Sequence, residues 1–412
     1  MTEASADRHV VIVGASLAGT RAAEGLRALG HTSRITLIGA EAELPYDRPP
    51  LSKDLLKSDW SDDAVAACRL ASRASLEEAG IDVRLGIAAT GLNPGDKTLT
   101  LADGSAVSYD VLVIATGAAA RPSPWQPESG VYQLRTLEDS RALAARLKTG
   151  EPVVVVGGGF IGTEIAAAAA GFGCEVTVVD PVAEPMARIV GPETASSLVD
   201  LHGHNGVKTR FGVGVTDIQG RDGALTVSLA DGSKIESSLA VVGIGSIPST
   251  QWLDDSGLNV ENGVLTDGRL RAVGAEDIYA IGDVSRWPHP GRGVPVRAEH
   301  WTNASDQARF VAAAIAQGAT ADYDSTDFVW SDQYDWKVHT IGWRDPEGTS
   351  QSIGDLADGK TAVLHTDASG SPCGAVTVNW VRGLNLIRRL LAAGATAETI
   401  TDELSQMAYA VR

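Results

Sequence analysis

Two glycine-spaced stretches have the residue types that let a backbone approach a pyrophosphate. The first runs Gly14, Ser16, Gly19 and the second Gly157, Gly159, Gly162. In such a fingerprint the first glycine makes a tight strand-to-helix turn. The second lets phosphates come close, and the third lets the helix pack on the strand. The helix N-terminus then faces the anion. The second set is intact, whereas Ser16 stands at the middle position of the first. An acid about 20 residues further on can bind a ribose 2′-hydroxyl. Glu41 and Asp180 are placed for this, each after the second strand of its unit. No arginine follows Asp180 before Arg188, so a 2′-phosphate would meet uncompensated negative charge, and NAD is favoured over NADP. A third piece, "YAIGDVSRW" (279–287), presents Asp283 after a glycine turn. Its carboxylate could bond a flavin ribityl hydroxyl or cap a helix.

One basic stretch stands apart. "LPYDRPPLSKDLL" (44–56) brackets a Pro49-Pro50 pair with Arg48 and Lys53. A helix is expected just afterwards, with Lys53 in its first turn, where the helix dipole disfavours a cation. Such a charge needs a partner.

The elements that must position these residues alternate. "HVVIVGA" (9–15), "TRAAEGLRALG" (20–30) and "RITLIG" (34–39) read as strand, helix and strand. "PVVVVGGG" (152–159), "FIGTEIAAAAAGFG" (160–173) and "EVTVVD" (175–180) repeat that grammar. This is a βαβ unit used twice. "YDVLVIATGA" (109–118) and "SLAVVGIGSIP" (238–248) read as crossing strands between them. The expected class is α/β: two Rossmann-like dinucleotide-binding domains plus a C-terminal α+β domain. The expected partition is 1–117 with 243–324 for the first domain, 118–242 for the second and 325–412 for the third. The last segment reads as "DFVWSDQY", "KVHTIGW", "TAVLHTD" and "GAVTVNW" strands, then the helix "LNLIRRLLAAGA".

Composition sets limits. The chain has 412 residues, enough for two or three domains. A net charge of −18 argues against nucleic acid or an anionic membrane as a general surface partner. Cys68, Cys174 and Cys373 are far apart and form no CxxC pair, which points to a reducing compartment, the cytoplasm. The opening residues lack an apolar h-region, and no run reaches the roughly 18 apolar residues of a membrane span. No Cys or His grouping has metal-ligand spacing.

Together the two fingerprints, the "ATG" of 115–117 and the "GD" of 282–283 resemble the flavoprotein superfamily of glutathione reductase, over nearly the whole chain. Within it, "RPPLSK" (48–53), "LRTLEDS" (134–140), "GGGFIGTEIA" (157–166) and "VWSDQY" (329–334) are similar to the NADH-dependent ferredoxin reductases of oxygenase and cytochrome P450 systems, the putidaredoxin reductase-like family.

The resemblance implies FAD at the first fingerprint (Gly14, Ser16, Ala18, Gly19, Glu41) and NADH at the second (Gly157, Gly159, Gly162, Glu164, Asp180). It places Arg48, Lys53, Arg135, Asp283, Trp301 and Trp330 at the flavin. It implies that Lys53 pairs with Glu164, expected in the first turn of the second fingerprint helix, and that this pair serves the nicotinamide and tunes the flavin. The implied partner is a [2Fe–2S] ferredoxin and, indirectly, an oxygenase or cytochrome P450, with the reductase a monomer or homodimer. A basic docking surface would draw on Arg48, Arg286, Arg292, Arg297, Arg388 and Arg389. No cysteine precedes Cys68, so the redox thiols of disulfide reductases and NADH oxidases are missing. Electrons would leave the flavin directly. The alternatives are an NADH:rubredoxin or NADH:quinone oxidoreductase. A different class is a protein that keeps FAD for structure, like apoptosis-inducing factor, whose basic surface this acidic chain lacks.

Overall fold

The computed structural model describes residues 8–324, 326–355 and 360–409. Residues 1–7, read above for a leader, and position 325, the expected domain border, lie outside them. The chain forms two compact units. One comprises residues 1–47, 65–119 and 246–325; the other comprises 48–64, 120–245 and 326–412.

The first unit is built on a five-stranded parallel sheet. Its order is Ile278–Ala280, Val111–Ile114, Val10–Val13, Ile35–Gly39, Ile81–Leu85. Val10–Val13 is central and buried at every residue, the run of β-branched side chains that a two-faced parallel strand requires. Helix Leu17–Ala28 follows and ends at Gly30, with φ +84°. His31 N donates to Leu26 O and Gly30 N to Arg27 O, so left-handed Gly30 satisfies carbonyls the helix would leave open. This helix begins at Leu17, earlier than the sequence pattern suggested. The long helix Trp301–Gln317 shares one core with it, through Ala22, Ala23, Leu26, Ala308, Val311 and Ala312.

The second unit repeats the sheet: Lys208–Phe211, Val176–Asp180, Val153–Val156, Leu239–Val242, Val131–Tyr132, again parallel and with the fingerprint strand central. Its helix Phe160–Gly171 ends at Gly173, φ +83°, with the same pair of closing bonds from Gly173 N and Cys174 N.

The C-terminal residues add a five-stranded antiparallel sheet in the order Phe328–Gln333, Trp336–Gly342, Pro372–Val378, Lys360–Thr366, Ser350–Asp355. The strand Ser350–Asp355 and the closing helix Ala397–Tyr409 were not among the expected elements, although Ile400, Leu404 and Met407 recur at helical spacing in the latter. Side-chain alternation divides this sheet between two cores. Ile341, Ile353, Ala362, Leu364 and Ala375 pack under helices Val381–Ala392 and Ala397–Tyr409. Val338, Val363, Val376 and Val378 pack on Met186, Val190, Ala195 and Leu198 from the nucleotide-binding part. Both faces are therefore covered, and the sheet belongs to the second compact unit.

Residues 48–64 join this unit too. Leu56, fully buried, sits in the core with Leu143, Leu147 and Ile165. Burial of one such leucine contributes about 1.5–3 kcal/mol. Ser140 Oγ donates to Leu51 O at 2.8 Å in a buried bond that fixes the segment on helix Leu137–Leu147.

Candidate functional site

Each fingerprint carries the three glycine roles, now with distances. Gly14 and Gly157 have φ +118° and +115°, conformations that side chains rarely adopt. A Cβ on Gly14 would lie 2.1 Å from Ala115 O, and one on Gly157 2.2 Å from Gly243 O. The "ATG" segment and its counterpart in the second unit therefore press on the turns. A Cβ on Gly19 would fall 1.9 Å from Gly14 O, and one on Gly162 2.0 Å from Gly157 O. The middle position differs. A Cβ on Gly159 meets nothing within 4 Å, and Gly159 is exposed. Nothing in the polypeptide itself demands glycine there, which leaves open space beside the helix N-terminus. Both helix N-termini fit an anion. Neither has an acid in its first turn, and neither Ser16 nor Gly159, the N-cap residues, provides a side-chain cap.

The acids are placed differently in the two units. Asp180 ends its strand and turns its carboxylate to the loop. Oδ2 accepts from Gly158 N at 2.7 Å and Oδ1 from Val182 N at 2.8 Å. The remaining lone pairs can accept ribose hydroxyls. Glu41 lies two residues past its strand and accepts from Tyr46 OH at 2.5 Å. Gly39, at the end of that strand, abuts Ala15 of the fingerprint: a Cβ there would be 2.7 Å from Ala15 Cβ.

Asp283 lies in the one-turn 3₁₀ segment Gly282–Val284, followed by strand Ser285–Pro288. It therefore does not start a long helix, as the sequence allowed. The turn is pinned: Gly282 N donates to Oε1 of fully buried Gln307 at 2.8 Å, and Ala18 lies beside Gly282. The fingerprint helix, Asp283 and helix Trp301–Gln317 thus meet. Trp301 opens that helix and its indole N–H donates to Asp47 Oδ1 at 2.7 Å. Sequence reasoning missed Gln307 and Asp47; Asp47 lies in the quoted stretch 44–56, but its partner Trp301 is 254 residues away and no spacing links the two.

In the second unit, Lys53 lies between the 3₁₀ turn Pro49–Ser52 and the short helix Asp54–Lys57. It is the N-cap of that helix rather than a first-turn residue. Glu164 is the fifth residue of its helix, past the first turn, and only 4% exposed. Lys53 Nζ lies 2.6 Å from Glu164 Oε2, with 16% of its side chain exposed. Two hydroxyls complete the carboxylate: Ser52 Oγ donates to Oε2 at 2.5 Å and Ser331 Oγ to Oε1 at 2.6 Å. Each of these charge-assisted bonds offsets hydration that a buried carboxylate loses. Ser52 and Ser331 were also missed, though both lie in quoted motifs. The signal for Ser331 is alternation: Ser331 and Gln333 are fully buried polar residues on the strand face opposite Phe328 and Trp330.

Arg48 Nη1 donates to Arg135 O at 2.5 Å, so these two residues are joined through the main chain of Arg135. Thr136 N donates to Asp139 Oδ2 and Asp139 N to Thr136 Oγ1, the capping box of helix Leu137–Leu147, and Arg135 N donates to the same Oδ2. Trp330 is half-buried, stacks on Phe328 with ring centroids 6.2 Å apart and pairs across the sheet with His339. The remaining arginines singled out above fall in both units. Arg286 bridges to Glu261 at 3.1 Å, Arg297 bonds Glu299, Arg389 bridges to Glu403 at 3.3 Å, and Arg388 lies over the Phe328 ring at 5.0 Å. Acids thus offset three of them.

Cys68 and Cys174 are buried and all three cysteines are reduced. Burial raises the Cys174 and Cys373 thiols above their usual pKa, which lowers their thiolate fraction. Among the described residues no His, Cys, Asp and Glu grouping could hold a metal, and no helix is long and apolar enough to cross a membrane.

Comparison with known proteins agrees with this geometry. Residues 328–409 match the reductase C-terminal family. The anthranilate 1,2-dioxygenase system ferredoxin–NAD(+) reductase component of Burkholderia cepacia is 37% identical, over 93% of this chain and 94% of its own. The rubredoxin–NAD(+) reductase of Pseudomonas putida is 36% identical, over 81% of this chain and 86% of its own. The covalent putidaredoxin reductase–putidaredoxin complex superposes with a TM-score of 0.91 at 29% identity, covering 98% of this chain and 99% of that one. With residues 8–308 matching its model throughout, the chain belongs to the pyridine nucleotide-disulphide oxidoreductase family.

Proposed function

We propose that this protein is an FAD-dependent NADH:ferredoxin reductase, the flavoprotein component that feeds electrons to a [2Fe–2S] ferredoxin serving an oxygenase or cytochrome P450. The observation that carries this reading is the doubled fingerprint. Each lies at the centre of a parallel five-stranded sheet, in a chain whose relative over nine-tenths of its length is a ferredoxin–NAD(+) reductase component. FAD supplies the chemistry when bound: it takes one hydride, carrying two electrons, from NADH and passes those electrons on singly.

The chain's own residues bind and orient. Gly14, Ser16, Ala18, Gly19, Glu41, Asp283 and the Trp301 helix are assigned to FAD. Gly157, Gly159, Gly162 and Asp180 are assigned to NADH. Asp180 accepts the ribose hydroxyls and repels a 2′-phosphate. Glu164 holds the Lys53 ammonium in a fixed place for the nicotinamide end. Arg48, Arg135 and Trp330 are assigned to the flavin by family resemblance alone. Thiols take no part, in keeping with buried Cys68 and Cys174. Reduced cysteines also support a cytoplasmic location.

A second acceptor has its own support, because a rubredoxin–NAD(+) reductase is 36% identical. Anaerobic titration of the FAD-loaded protein with NADH tests the donor half: the yellow absorbance should bleach at one equivalent. Adding a [2Fe–2S] ferredoxin, a rubredoxin or a water-soluble quinone then ranks acceptors. Fastest turnover with ferredoxin is expected. Preference for rubredoxin would replace that acceptor, and a protein that takes up FAD but ignores NADH would end the proposal.

A further inference from the structure

Behind Glu164 the second unit holds a chain of buried polar groups that cofactor binding does not require. Gln333 Nε2 lies 3.2 Å from Ser331 Oγ, whose hydroxyl bonds Glu164. Gln333 Oε1 lies 2.9 Å from His202 Nε2, and His202 Nδ1 lies 3.0 Å from Tyr334 OH. Ser331 and Gln333 are fully buried and His202 is 2% exposed. The groups come from helix Pro192–His204, strand Phe328–Gln333 and helix Phe160–Gly171, so tertiary packing alone assembles them.

Donor and acceptor chemistry gives the chain one direction. An ionised carboxylate only accepts. Ser331 must therefore donate to Glu164, which leaves its oxygen to accept from the Gln333 amide N–H. Gln333 then presents its carbonyl to His202, which must carry its proton on Nε2. His202 Nδ1 is left to accept from Tyr334 O–H. Burial lowers the His202 pKa, which favours the neutral ring this order needs. Every dipole points at Glu164, an arrangement in which successive bonds polarise one another.

The far end has a conformational cost. Tyr334 is the first of two residues linking the strands Phe328–Gln333 and Trp336–Gly342, and its φ is +55°. Gly or Asn usually fills such a turn position. The bond to His202 and the edge-on ring contact at 5.2 Å give a reason for a tyrosine there.

We propose that Gln333 and His202 are positioning residues for the Lys53–Glu164 pair, acting through Ser331 to keep the Glu164 carboxylate aimed at Lys53. This rests on reading that pair as part of the nicotinamide site.

The direct test is nuclear magnetic resonance of the FAD-loaded enzyme with ¹⁵N-labelled histidine, the His202 signal being assigned with His202→Asn. Between about pH 6 and 8, where an ordinary histidine titrates, His202 should stay neutral with an exchange-protected proton on Nε2. Gln333→Met should remove that protection. A His202 that is protonated, or protonated on Nδ1, overturns the proposal. The kinetic arm is a double-mutant cycle. Gln333→Met should slow flavin reduction by NADH about tenfold, with the midpoint of thermal unfolding moved by less than about 4 °C. Ser331→Ala, one link nearer, should slow it at least as much. Added to Glu164→Gln, Gln333→Met should change the rate less than about twofold, because the group it serves is gone. A full, additive loss in that background also overturns the proposal. If the parent enzyme itself ignores NADH, the functional reading fails while the resonance experiment still decides the hydrogen-bond order.

Discussion

Lys53 Nζ and Glu164 Oε2 sit 2.6 Å apart although 111 residues separate them in sequence, and both are largely shielded from water. Two hydroxyls, from Ser52 and Ser331, bond the same carboxylate. Removing one member of such a pair strands the other. Glu164→Ala should destabilise the protein by about 3–5 kcal/mol, read as a lower denaturant midpoint. Lys53→Met should cost less, because the two serine bonds to the stranded Glu164 carboxylate remain. Both should slow NADH-dependent flavin reduction. Equal stability of Glu164→Ala and parent would show that the pair adds nothing to the fold.

The two inner glycines of the second fingerprint should part company. Gly162→Ala drives a methyl to 2.0 Å from Gly157 O, so the helix must shift off its strand. Soluble yield should fall and the unfolding midpoint should drop. Gly159→Ala meets nothing within 4 Å. Its unfolding midpoint should stay within about 4 °C of parent, while NADH affinity weakens at least tenfold, about 1.4 kcal/mol. Unchanged NADH affinity in Gly159→Ala would remove the pyrophosphate from that loop.

Asp180 is expected to choose the nucleotide. Asp180→Ala should lower NADH affinity, because the ribose acceptor is lost, and raise the relative use of NADPH, because the negative charge is lost. The measured quantity is the ratio of kcat/KM for the two nucleotides. A ratio that stays put would assign Asp180 to the loop alone, where it holds Gly158 N and Val182 N.

His365 gives a pH dependence that does not involve cofactors. It is 2% exposed, bonds Ser350 Oγ at 2.8 Å, and burial, helped by Arg344, lowers its pKa from 6.5 to about 4. The unfolded chain takes up a proton near 6.5 that the folded chain refuses until about 4. Stability from this group is therefore complete above 6.5 and falls as pH drops through that window, by about 3 kcal/mol in all. Urea unfolding at stepped pH should show a shallower acid loss in His365→Asn than in parent. Parallel curves would contradict the assignment.

The doubled βαβ grammar was legible because its signals are local. Runs such as Val153–Val156 must be buried on both faces, and Gly30 and Gly173 end their helices through a backbone conformation that glycine favours. The glycine spacing likewise has steric reasons at Gly157 and Gly162, whereas Gly159 faces open space. Strand Ser350–Asp355 was illegible, since its "SQSIG" stretch has almost no apolar pattern and gains its place by pairing with Lys360–Thr366.

By itself, then, the sequence determined that two nucleotide-binding units exist, that redox cysteines are missing, and, through family resemblance, that Lys53 and Glu164 belong together. Only tertiary structure decided what surrounds them. Hydrogen bonds such as Ser331 to Glu164 and Gln333 to His202 join residues more than 100 positions apart, and no local spacing announces which residue pairs with which. Their geometry is fixed when the C-terminal sheet buries its valine face on Met186, Val190 and Leu198, because Ser331 lies on that same face, directly opposite Val338, and Gln333 two residues on shares it.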